Sequence, residues 1–69
     1  MVNTVELKVA MMRRGLSQKK AAEALGICPA ALNYKINNKH QFKMQEIAKL
    51  RDLLCLSPEQ MNEIFLEQA

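Results

Sequence analysis

The sequence predicts an all-α fold of five short helices in a single domain spanning residues 1–69. Helix start and stop signals recur about every ten residues along the chain. No segment alternates apolar and polar residues over more than a few positions, as a half-buried strand would. Two glycines and two prolines leave little room for the turns of a many-stranded sheet. At 69 residues, 49% hydrophobic and 25% charged, the chain has ordinary globular composition. That length supports one modest core and not a catalytic cleft between domains.

The first helix is expected from an Asn3 or Thr4 cap through Arg14, with Leu7, Ala10, Met11 and Arg14 at helical spacing. Gly15 ends it, because a helix C-terminus often needs a left-handed residue. Ser17 caps a second helix, its hydroxyl accepting a backbone N–H of the first turn, and Gln18 to Leu25 follow before Gly26. Ala21, Ala22 and Leu25 form its buried side. Pro29 suits the first position of a third helix, with Cys28 as a weak cap. Leu32 and Ile36 share its inner face, and the helix is expected to end near Asn37-Asn38. Asn38 is the common second choice to glycine for a left-handed cap.

Residues 39–43 read as a polar loop pinned to the core by Phe42. A fourth helix from about Met44 to Cys55 is expected to bury Met44, Ile47, Leu50 and Leu54. Ser57-Pro58-Glu59-Gln60 is a capping box with proline at the first position, so a fifth helix runs to about Leu66. Its apolar stripe of Met61, Ile64 and Phe65 either completes the core or, with Leu66, forms a dimer surface.

Charge divides the chain. Residues 1–43 hold eight Lys and Arg against two acidic residues, whereas residues 44–69 hold two against five. The net charge of +3 and the basic front suggest a polyanionic partner. No apolar run is long enough for a membrane span and no signal-peptide core opens the chain, so a soluble, cytoplasmic protein is expected. Cys28 and Cys55 form no C-x-x-C pair, and His40 is the one histidine. Neither a metal site, nor a cofactor, nor a hydrolytic Ser/His/Asp or Cys/His set is expected, and the chain does not read as an enzyme.

The short link between helices two and three is the most informative feature. Helix, glycine turn and helix form a motif whose second member can enter the DNA major groove. The stretch Gly15-Leu16-Ser17-Gln18-Lys19-Lys20-Ala21-Ala22-Glu23-Ala24-Leu25-Gly26-Ile27 resembles the G-L-[ST]-Q-x-x-[LA]-A-x-x-[LV]-G-[IV] signature of lambda repressor-like helix-turn-helix domains, the Cro or XRE type. Lys35-Ile36-Asn37-Asn38-Lys39 is similar to the K-I-N-G-K of relatives. Ile47, Leu50, Leu54 and Leu56-Ser57-Pro58-Glu59 resemble the family's last two helices.

The resemblance covers about residues 5–66. It implies a five-helix bundle that binds double-stranded DNA, usually as a homodimer on a two-fold related operator. A stand-alone repressor or Cro-like transcriptional regulator of phage or prophage type is the corresponding expectation.

Carried over residue by residue, the resemblance assigns base contacts to Ala30, Asn33, Tyr34 and Asn37 on the outer face of helix three. Asn33 can pair with adenine and Ala30 can touch a thymine methyl. Tyr34 can also bond a phosphate, or pack its ring against the core edge. Phosphate contacts are expected from Gln18, from Ser17 at the start of helix two, and from Lys35, Lys39 and Lys43.

Three departures stand out. The front of helix three reads Cys28-Pro29-Ala30-Ala31, where relatives often carry hydrogen-bonding side chains, so less direct readout is expected, with specificity either weak or leaning on DNA shape. Asn38 stands in place of the usual glycine, a change expected to raise the cost of the loop only slightly. Met11 and Ile36 occupy positions that in some relatives hold a buried Arg–Glu pair, and an apolar contact is expected here. The alternative function is a protein-interaction module, an antitoxin-like partner or adaptor that uses the bundle without reading DNA. The alanine-rich front of helix three favours it.

Overall fold

The structure, a computed structural model, describes residues 2–65. These form five helices and no strand: α1 (Thr4–Arg13), α2 (Gln18–Leu25), α3 (Pro29–Ile36), α4 (Met44–Leu54) and α5 (Pro58–Ile64). They fold into a globule of 27 × 24 × 20 Å. α2 packs on both α3 and α4, and α1 packs on α5.

The helix starts follow the local chemistry of the sequence. Asn3, Ser17 and Ser57 each accept the N–H three residues on through a side-chain oxygen. Ser57 and Gln60 close a reciprocal box, Gln60 N–H to Ser57 Oγ at 3.2 Å and Ser57 N–H to Gln60 Oε1 at 2.9 Å. Lys43 has no side-chain acceptor to offer α4. Glu46 supplies the other half of a box alone, accepting the Lys43 N–H at 2.8 Å.

The first four helices end in one way. After each, a left-handed residue donates its N–H three residues back, and the next N–H reaches five back. Glycine fills that place after α1 and α2, as Gly15 and Gly26. Asn38 (φ 64°) fills it after α3 and Cys55 (φ 52°) after α4.

Asn38 departs from the small loop cost expected of it. Its Oδ1 accepts the Val2 N–H at 2.7 Å and its Nδ2 donates to the Val2 carbonyl at 2.9 Å. Glycine could make neither bond. Thr4 Oγ1 adds a bond to the Ile36 carbonyl, and Asn3 N–H one to the Ile64 carbonyl at 2.7 Å. Residues 2–4 are thereby stitched between the end of α3 and the end of α5.

The core contains Leu7, Met11, Ala21, Ala22, Leu25, Leu32, Ile36, Ile47, Leu50, Leu54 and Leu56. Val2 joins it, and Phe42 meets Phe65 edge-to-face with ring centroids 5.9 Å apart. Met11 and Ile36 are both buried and apolar, as expected for positions without the Arg–Glu pair. Ala10 is only partly buried. Arg14 lies just beyond α1 and is exposed, and its Nε donates to the Leu54 carbonyl at 3.2 Å, capping the end of α4.

One expectation is corrected and one alternative is narrowed. Met44 is 73% exposed, because the first residue of α4 projects outward before the helix turns its Ile47–Leu50–Leu54 face to the core. Ile64 and Phe65 are 3% and 5% exposed within the single chain. They complete the core, one of the two outcomes expected for that stripe. Met61 is half-buried against the same core, and Leu66 lies outside the described residues.

Candidate nucleic-acid interface

α3 divides by helical periodicity into two faces. Leu32 and Ile36 point into the core at 1% and 0% exposure. Ala30, Asn33, Tyr34 and Asn37 are all exposed, and their i, i+3, i+4, i+7 spacing puts them on one outward face. Ala21 and Ala22 are fully buried on α2, where small side chains let the helix approach its neighbours closely. Gly26 then reverses the chain, and only three residues, 26–28, separate the end of α2 from the start of α3.

The outer face has a defined polar arrangement. Asn37 Nδ2 donates to Asn33 Oδ1 at 3.0 Å and to the Asn33 carbonyl at 2.9 Å. This i, i+4 pairing uses neither the Asn33 amide NH₂ nor the Asn37 Oδ1, one donor group and one acceptor on exposed residues. Such a pair complements the N7 acceptor and N6 donor on the major-groove edge of adenine.

Tyr34 is 46% exposed. Its ring meets His40 edge-on with centroids 5.7 Å apart, and Lys39 Nζ lies 5.8 Å from its centroid. The tyrosine therefore holds the loop 39–43 against the last turn of α3 while half its surface stays open. A cation over an exposed ring contributes about 0.5–1 kcal/mol. His40, read from sequence as a solvated loop residue or a minor phosphate contact, thus belongs to this cluster.

The phosphate-contact candidates separate. Ser17 is exposed at the start of α2, its Oγ accepting the Lys20 N–H at 3.1 Å while its hydroxyl hydrogen remains to donate. Gln18 is partly exposed beside it. Lys39 and Lys43 are exposed on the loop after α3. No side chain caps the first turn of α4, which starts directly after Lys43.

Lys35, expected among them, is placed differently. Its Nζ donates to both oxygens of Glu46 at 2.6 and 2.7 Å, with side-chain exposures of 12% for Lys35 and 8% for Glu46. Its charge is neutralised inside the protein, where its side chain reaches from the last turn of α3 to the first turn of α4. Burial pushes the Glu46 carboxyl up. The Lys35 hydrogen bond, the Lys43 N–H and the charges of both lysines outweigh that and hold it below its ordinary value. Nothing in the local sequence marks Glu46 as buried. The signal available was its position three residues after the α4 cap, where a carboxylate satisfies a backbone N–H.

Elsewhere, Cys28 and Cys55 are free and exposed. Among the described residues no group of three or more His, Cys, Asp or Glu could hold a metal ion. No helix among them is long and apolar enough to cross a membrane. The chain matches no protein-family model and no curated protein.

Proposed function

We propose that this chain is a lambda repressor-like helix-turn-helix domain that binds double-stranded DNA as a sequence-specific transcriptional regulator of phage or prophage type. α3 enters the major groove. The observation that carries the reading is the single exposed face of Ala30, Asn33, Tyr34 and Asn37 on a helix backed by α2 across a glycine turn. An α-helix with its side chains is about 10–12 Å across, which suits a major groove roughly 12 Å wide. Asn33 and Asn37 read a base edge together, Ala30 meets a thymine methyl, and Tyr34 contacts sugar or phosphate. Lys39, Lys43, Ser17 and Gln18 meet the backbone phosphates on either side. The resemblance in sequence adds two copies on two-fold related half-sites, joined by a surface other than the buried Ile64 and Phe65.

Binding to a labelled mixed-sequence duplex across a salt series tests this reading. Each phosphate neutralised adds about −0.9 to the slope of log affinity against log salt, so Lys39 and Lys43 alone predict a slope near −2. Binding that is absent at low salt, or insensitive to salt, removes the reading.

A second reading, a protein-interaction module, draws on Val5 and Met12. They stand seven residues apart on the outer side of α1 and are exposed. Met12 also lines a groove with Lys8, Met11, Leu16 and Gln18. Loss of function in V5S/M12S with DNA binding intact distinguishes this surface from α3.

A further inference from the structure

We propose that Lys35 and Glu46 are a positioning pair that sets the outer face of α3 in register with the cationic loop 39–43, and that Lys35 itself meets no phosphate. The inference rests on the DNA-binding reading above and assigns these two residues a role within it.

Three chain segments converge on one carboxylate. Lys35 reaches it from the last turn of α3, with bonds of 2.6 and 2.7 Å to the two oxygens. Glu46 itself belongs to the first turn of α4. The Lys43 N–H, at the end of the connecting loop, donates to Oε1 at 2.8 Å. Both ends of the segment between α3 and α4 are therefore closed on the same group.

An ion pair this dry does not hold together by charge alone, since each partner loses most of its water. It persists where additional hydrogen bonds satisfy the remaining oxygen positions, and the Lys43 N–H supplies one. Turning Lys35 outward to a phosphate would break two charge-assisted bonds and strand a buried carboxylate. A solvated lysine on the loop makes the same phosphate contact at no such cost.

What the pair controls is spacing. Asn33, Tyr34 and Asn37 lie on the adjacent turns of α3, whereas Lys39 and Lys43 lie on the loop. Phosphate contacts fix how a protein sits on a duplex, and base contacts succeed only in that register. Tyr34 steadies the near end of the loop through His40 and Lys39, and the carboxylate steadies the far end.

The test compares wild type with K35M/E46L on a labelled duplex enriched from a random-sequence pool. This double variant leaves the net charge unchanged and no buried charge unpaired. Far-UV circular dichroism first establishes that it is folded. The expected result is a loss of affinity of about tenfold, equivalent to about 1.4 kcal/mol, with the salt slope unchanged. K43A, in contrast, makes the slope shallower by about one contact.

Wild-type affinity in the folded double variant overturns the proposal, because the pair then serves stability alone. A slope shallower by about one in K35M also overturns it, because Lys35 then contacts phosphate. If K35M/E46L does not fold, K35M/E46Q keeps an acceptor for the Lys43 N–H and carries the same prediction. Failure of the DNA reading itself is seen separately, as wild type that does not bind.

Discussion

Replacing Asn38 and Cys55 by glycine is expected to change stability in opposite directions, although both residues hold the same left-handed conformation after a helix. An L-residue there costs roughly 1–2 kcal/mol through the clash of its Cβ, with asparagine among the most tolerant. Cys55 is exposed, and among the described residues its side chain makes one polar contact, a long Sγ–H to the Asp52 carbonyl at 3.8 Å. Cys55→Gly therefore relieves the clash and loses almost nothing. Against glycine's extra freedom in the unfolded chain, roughly 0.5–1 kcal/mol, a net gain of about 0.5–1 kcal/mol remains.

Asn38→Gly relieves less strain and loses two partly buried bonds, at 2.7 and 2.9 Å, to both backbone groups of Val2. Each is worth about 0.5–1.5 kcal/mol net, so a loss of about 1–2 kcal/mol is expected. In a domain of this size 1 kcal/mol moves Tm by roughly 4–8 °C. Thermal unfolding followed by circular dichroism resolves the two shifts. Asn38→Ala, which keeps the strain and loses the clamp, is expected to lie below Asn38→Gly. An Asn38→Gly protein as stable as wild type, or a Cys55→Gly protein less stable, refutes the reasoning.

Two further outcomes follow from the core and from the buried carboxylate. Leu32→Ala, at a site 1% exposed on α3, is expected to cost about 2–5 kcal/mol in urea unfolding, a large part of the total stability of a chain this small. Glu46 sits below its ordinary value of 4.5, so the stability it contributes is fully present above about that pH and is lost as pH falls through its lower folded value. The stability difference between wild type and E46Q is thus expected to shrink between pH 4.5 and more acidic solution, and a difference that grows in acid contradicts the assignment.

The parts of this fold legible in the sequence are those decided within a few residues. Ser17, Gly15, Gly26 and the Ser57–Gln60 box act on neighbouring backbone groups, so the helices begin where they are expected and end within about two residues of the expected place. The outer face of α3 was legible for the same reason, because periodicity alone opposes Asn33 and Tyr34 to Leu32 and Ile36.

What was not legible depends on how helices meet. Lys35 and Glu46 are eleven residues apart, and Asn38 and Val2 thirty-six, and neither pairing has a local signal. The stripe of Met61, Ile64 and Phe65 reads identically whether it faces a core or a second copy. Met44 reads as core by spacing, yet it stands at a helix start where the chain has not yet turned inward.

The central claim is that α3 reads DNA through Asn33. Selection of duplexes from a random-sequence pool by wild type and by Asn33→Ala tests it most directly, with both proteins folded. Wild type is expected to enrich a motif with two-fold symmetry, and the variant to lose preference at one base pair in each half-site. Such a loss is worth about 1–3 kcal/mol per base pair. An Asn33→Ala protein that enriches the same motif to the same degree, or a wild type that enriches none, contradicts it.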